Sequence, residues 1–132
     1  TLDYYLLSLV KLIHNTLTLE KKMTNKKLPT TLPACPVETT LLILSNKWTI
    51  LILRDLLDGT KRFGELKKSL TGVSQKVLTE NLRSLEEKGI LTRKVYPEVP
   101  PRVEYTLTEL GKTLEPITES MHAWGEYYKS TI

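Results

Sequence analysis

The sequence predicts a mainly α-helical domain carrying one small β-hairpin. Apolar residues recur at three- and four-residue steps through most of the chain, and only LTRKVY and RVEYTL have strand chemistry. A glycine-containing break at residues 70–73 separates two short amphipathic segments, the length and chemistry of a helix-turn-helix. The 132 residues fit one domain, and 40% hydrophobic residues can fill a core without disulfides or metals. The net charge of +4 is unevenly spread. Residues 1–36 hold five Lys and two acids, residues 61–102 ten basic and five acidic side chains, and residues 103–132 five Glu and two Lys. A basic middle permits an anionic partner, with ordinary solvated charge as the plain alternative.

In the first segment Leu6, Val10, Ile13 and Leu17 form an apolar stripe on a helix of about residues 2–21. Asp3, Lys11 and His14 interrupt it, and it lacks a basic leader and a small-residue cleavage site, so secretion is not expected. A single cysteine cannot make an internal disulfide, and no apolar run has membrane length; both features point to a reducing, cytoplasmic setting with no membrane partner. The polar run MTNKKLPTTLP reads as a linker, and its Met23 is a candidate native start.

Residues 37–46 and 47–58 carry enough apolar positions, among them Leu41, Leu44, Trp48, Leu51, Ile52 and Leu56, for two buried helices, with Gly59 ending the second. A short helix over residues 63–70 and a longer one over residues 74–88 flank the turn. Val103, Tyr105 and Leu107 alternate with polar residues as a half-buried strand does, and PEVPP joins this run to the less regular LTRKVY as a hairpin. Leu110, Leu114, Ile117, Met121, Trp124 and Tyr128 then form a heptad-like seam on a terminal helix, which Pro116 should bend. The seam either packs on its own domain or is shared with a second subunit; its length in so small a domain favours the second. The order of elements is that of a winged helix-turn-helix. It divides into a helical extension (1–22), a linker (23–36), the winged unit (37–107) and a C-terminal dimerisation helix (108–132), with the N- and C-terminal helices forming a dimer interface.

Within residues 74–88, Leu78, Leu82 and Leu85 share one face, while Lys76, Thr79, Glu80 and Arg83 lie opposite and Gln75 sits to the side. Lys76 near the helix start and Glu86 and Glu87 near its end run against the peptide dipole, each at a cost of a fraction of a kcal/mol. The arrangement makes sense if the start of the helix meets phosphate and the end does not. Amide, hydroxyl and cationic groups there suit a major groove, where Gln can bond adenine and Lys or Arg guanine. Glu80 would face a cytosine amino group or solvent. Lys94 and Arg102 flank the hairpin tip, and Lys61, Arg62, Lys67 and Lys68 border the first helix of the motif, where backbone contacts are made.

Three motifs, CPVETTLLILSNKWTILILRDLLDGTKRFGEL, GVSQKVLTENLRSLEEKGIL and YPEVPPRVEYTLTELG, resemble the HxlR-type winged-helix transcriptional regulators, relatives of the MarR class. PITESMHAWGE is similar to that family's closing helix. The resemblance implies a homodimeric bacterial or archaeal regulator that binds double-stranded DNA, with Ser74, Gln75, Lys76, Thr79 and Arg83 in the recognition helix and Arg102 in the wing; no cofactor is expected. Two such helices related by a dyad would read half-sites about one turn, roughly 34 Å, apart, so a partly palindromic operator is expected.

Some members of the family sense oxidants or electrophiles through a cysteine corresponding to Cys35. Pro36 suits a first helical position, which puts Cys35 at a helix start, where free N–H groups favour an anion; Glu38, one turn on, opposes this. With no second cysteine, reversible oxidation would give an intersubunit disulfide or a mixed disulfide with a small thiol. A purely structural cysteine is the other reading. Catalysis is not expected: His14 and His122 lack ligand-like spacing, and no glycine-rich phosphate loop is present. A winged helix used for protein interaction remains an alternative to DNA binding, because fold does not dictate function.

Overall fold

The computed structural model describes residues 31–132. The expected N-terminal helix, with Leu6, Val10, Ile13 and Leu17, lies outside the described residues. From there the elements run α1 (Pro36–Ile43), α2 (Lys47–Leu57), β1 (Lys61–Arg62), α3 (Phe63–Ser69), α4 (Gln75–Glu87), β2 (Leu91–Tyr96), β3 (Arg102–Leu107), α5 (Glu109–Lys112) and α6 (Glu115–Ser130). Three antiparallel strands form one sheet in the order β1-β3-β2. The mainly helical winged architecture is the one expected from the sequence.

The core forms where apolar faces of different elements meet. Ile52, Leu53 and Leu56 of α2, Leu66 of α3, Leu70, and Leu78, Leu82 and Leu85 of α4 are buried against Ile90, Leu91, Tyr105 and Leu107. Each buried leucine contributes about 1.5–3 kcal/mol through removal of apolar surface from water. The hairpin pairs Leu91 with Leu107, Arg93 with Tyr105 and Tyr96 with Arg102, so its first residues close the core and its tip projects from it.

Strand β1 was not expected. Its two residues show no alternation, and it exists because β3 offers an edge: Lys61 pairs with Tyr105 and Arg62 with Glu104, and the hydroxyls of Thr60 and Thr106 meet at 2.8 Å. Helix α1 departs from the expected buried helix over residues 37–46. It stops at Ile43, none of its residues is buried, and Val37, Leu41 and Leu42 are exposed. The reason for the early stop lies in Asn46, whose Oδ1 accepts N–H groups of Trp48 (3.0 Å) and Thr49 (3.2 Å) and so starts α2 instead of prolonging α1.

The terminal helix is also divided. The helix is interrupted after Lys112, and Pro116 lies in the first turn of α6, where its missing N–H costs nothing, so it does not bend a helix interior. Gly111 lets α5 lie tightly against the segment that leads into β2: a Cβ there would collide with the carbonyl of Ile90. Thr108 anchors the same point, its hydroxyl facing the carbonyl of Gly89 at 2.6 Å while accepting the Gly111 N–H at 3.0 Å. Leu110, Leu114 and Ile117 pack on the core, whereas Met121, Trp124 and Tyr128 are exposed.

Candidate nucleic-acid interface

Helix α4 is set by its ends. Gly72 adopts φ +90° in the turn, a conformation that costs other residues strain, and lets the chain reverse between α3 and α4. Ser74 Oγ then accepts the Val77 N–H at 3.1 Å. Lys67 Nζ donates to the Val73 carbonyl at 3.0 Å, which ties the ammonium to the turn itself. With Leu78, Leu82 and Leu85 buried, the rest of the helix surface points outward.

Gln75, Thr79, Arg83 and Glu86 form one wall of a groove. The other walls come from Phe63, from Arg93 of β2, and from Val103 and Tyr105 of β3. Thr79 Oγ1 donates to the Gln75 carbonyl at 2.7 Å, so its proton is used within the helix while its lone pairs face outward. Lys76 stands on an exposed shoulder, 4.0 Å from Glu80 Oε1. A surface pair of this kind is worth little and yields readily to a phosphate. That pairing also gives Glu80 a place: it balances Lys76.

The hairpin has two faces with different chemistry. Arg93 stands opposite Tyr105 and looks into the groove beside α4. On the other face Lys94 Nζ lies 4.8 Å and Arg102 Cζ 4.0 Å from the centre of the Tyr96 ring. Arg102 is further held by Glu98 at 3.3 Å and Glu104 at 3.5 Å, so its charge is largely compensated within the wing. Among the described residues neither Arg83 nor Arg93 is ion-paired.

Gln75, Thr79 and Arg83 therefore converge, Ser74 caps the helix, Lys67 braces the turn beneath it, and Lys94 and Arg102 lie apart on the outer face of the wing. Arg93 is not among the residues that the sequence singles out. The alternation that puts Val103, Tyr105 and Leu107 on one face also places Leu91, Arg93 and Val95 together, and following it through LTRKVY sets Arg93 toward α4 and Lys94 on the other face. Cys35 is exposed and precedes α1 as its N-cap residue, without a side-chain capping bond.

This combination of a leucine-anchored second helix and a cationic hairpin beside it matches known proteins. The HxlR-like helix-turn-helix profile matches residues 43–132. The chain belongs to the HxlR-like helix-turn-helix family. The HTH-type transcriptional regulator YdeP of Bacillus subtilis (strain 168) is 52% identical over 98 residues, covering 74% of this chain and 77% of YdeP. Among solved structures, the redox regulator HypR in its reduced form has a TM-score of 0.70 at 45% identity, covering 74% of this chain and 96% of that one. A MarR-family transcriptional regulator from Porphyromonas gingivalis W83 has a TM-score of 0.69 at 40% identity, covering 76% and 97%. As an HxlR-type protein the chain is a helix-turn-helix transcriptional regulator, and DNA binding follows from that membership. Among the described residues no helix is long and apolar enough to cross a membrane.

Proposed function

We propose that the protein acts as a homodimeric, sequence-specific repressor that lays α4 of each protomer into successive major grooves of a partly palindromic operator. The observation that carries this reading is the groove between α4 and the hairpin, where Gln75, Thr79 and Arg83 face Arg93. Gln75 and Arg83 supply base-edge donors, Lys76 and Arg93 neutralise phosphates, and Ser74 presents the free N–H groups of the helix start. Lys94 and Arg102 meet the backbone at the wing after exchanging their internal partners for phosphate. The exposed Met121, Trp124 and Tyr128 of α6 supply a second subunit's contact surface, joined by the stripe Leu6, Val10, Ile13 and Leu17.

Selecting bound fragments from random duplexes tests the proposal. Fragments should share two inverted half-sites spaced about one helical turn apart. Retention of duplexes with no common sequence, or binding insensitive to salt, would favour the protein-interaction reading instead.

A thiol input at Cys35 is supported by its exposure and by the likeness to a protein named a redox regulator. The thiolate would attack a small electrophile directly or, with an oxidant removing two electrons, form a disulfide with the partner's equivalent thiol or with a small thiol. Mass spectrometry after diamide or quinone treatment, paired with a DNA-binding assay, tests it. An unmodified Cys35, or a modified one with unchanged binding, would dispose of the sensor.

A further inference from the structure

Helix α4 makes two polar contacts that neither the core nor the DNA-facing groove requires, and both land on the elbow between α1 and α2. Asn81 is buried, and its Oδ1 accepts from Asn46 Nδ2 at 2.9 Å and from Thr49 Oγ1 at 3.0 Å, while its Nδ2 donates to the Val77 carbonyl at 2.8 Å. Asn46 is itself the cap of α2. Two turns further along α4, Lys88 Nζ donates to the Leu42 carbonyl at 2.8 Å, at the open C-terminal end of α1. Positions seven apart fall on nearly the same side of a helix, roughly 10 Å apart along its axis. The elbow is thus gripped at both of its ends.

The placement around the α4 axis matters. Leu78, Leu82 and Leu85 form the central apolar strip; Gln75, Thr79 and Arg83 lie on one side of it, and Asn81 and Lys88 on the other. Apolar contacts are non-directional, so a leucine strip alone tolerates a helix that rolls or slides by a fraction of a turn. A roll of about 20°, a fifth of the roughly 100° between successive residues, would carry side chains of this length out of register with base edges. Hydrogen bonds are directional, and a buried amide with its partners in place permits one setting only.

We propose that Asn81 and Lys88 are positioning residues: they fix the roll and axial setting of α4 on the α1–α2 elbow, and so decide how Gln75, Thr79 and Arg83 are presented. The effect on sequence discrimination rests on the DNA-reading function proposed above; the effect on helix setting does not.

The experiment uses the full chain with Asn81→Leu, which replaces the amide by an apolar side chain with the same branching and number of heavy atoms, and with Lys88→Met and Lys88→Arg. Amide residual dipolar couplings report the orientation of α4 relative to α2. Affinities are measured for a duplex selected by the unaltered protein and for an unrelated duplex of equal length. Asn81→Leu and Lys88→Met should remain folded, change the relative orientation of α4, and lower the ratio of specific to non-specific affinity by about tenfold, with non-specific binding retained. Lys88→Arg should restore both readouts. Folded Asn81→Leu and Lys88→Met variants with unaltered couplings would overturn the proposal, as would a loss of thermal stability with couplings and discrimination unchanged. If the unaltered protein selects no duplex, the DNA-reading function fails, and the couplings alone still decide whether the elbow sets α4.

Discussion

Helices α4 and α6 are of similar length and both amphipathic, yet they end up in opposite situations. Leu78, Leu82 and Leu85 of α4 are buried within the protomer, and Ser74 closes the helix start. Helix α6 buries no residue, and Trp124 and Tyr128 stack on each other at 5.3 Å while both remain exposed. One apolar stripe is consumed inside the fold and leaves a polar face for recognition. On α6 only Ile117 reaches the core, while Met121, Trp124 and Tyr128 stay uncovered among the described residues, and these are the side chains proposed above for subunit contact.

The two helices should therefore fail differently. Leu82→Ala is expected to cost about 2–5 kcal/mol of unfolding free energy, because it opens a cavity between α4 and the sheet; denaturant melts would show it. Trp124→Ala should leave the protomer's fold intact and weaken self-association by about 2 kcal/mol, roughly thirtyfold in the dissociation constant, read by sedimentation. A tryptophan variant that unfolds the protomer and leaves its association unchanged would erase the contrast between the helices. Ser74→Ala should cost about 1 kcal/mol by leaving the Val77 N–H uncapped. Glu80→Ala should shift stability by less than about 0.5 kcal/mol while strengthening DNA binding slightly, since it frees Lys76. A large loss of stability there would mean that the exposed pair carries more than its geometry allows.

Much of this architecture is written in local pattern. The three-and-four spacing of Leu78, Leu82 and Leu85, the glycine at position 72 and the alternation of Val103, Tyr105 and Leu107 each follow from one element's own geometry, and each was readable. What was not readable depends on two distant segments meeting. Strand β1 exists only because β3 lies beside it, and Asn46 gives no hint in sequence that it bonds Asn81 across the fold. Nothing local to the sequence pairs Lys67 with the Val73 carbonyl, because the turn has to form before the two meet. Spacing alone puts Pro116 inside a helix that it should bend, although proline is equally at home in a first turn, and only the interruption after Lys112 distinguishes the two. The candidate site was legible as a helix face, while its second wall, Arg93 on the hairpin, required strand alternation to be followed through a run that mixes cations with apolar residues.

If the groove between α4 and the hairpin receives DNA, as proposed, Arg83 and Arg93, unpaired among the described residues, should govern binding. The affinity of the parent, Arg83→Ala and Arg93→Ala for one selected duplex, measured across a range of salt concentrations, decides this. The parent's affinity should fall steeply with salt, and both variants should bind more weakly. Arg93→Ala should lose about one phosphate's worth of salt dependence, and Arg83→Ala should lose discrimination at a defined base pair. Parent-like affinity and salt dependence in both variants would contradict it and move the DNA contact to another face of the protein.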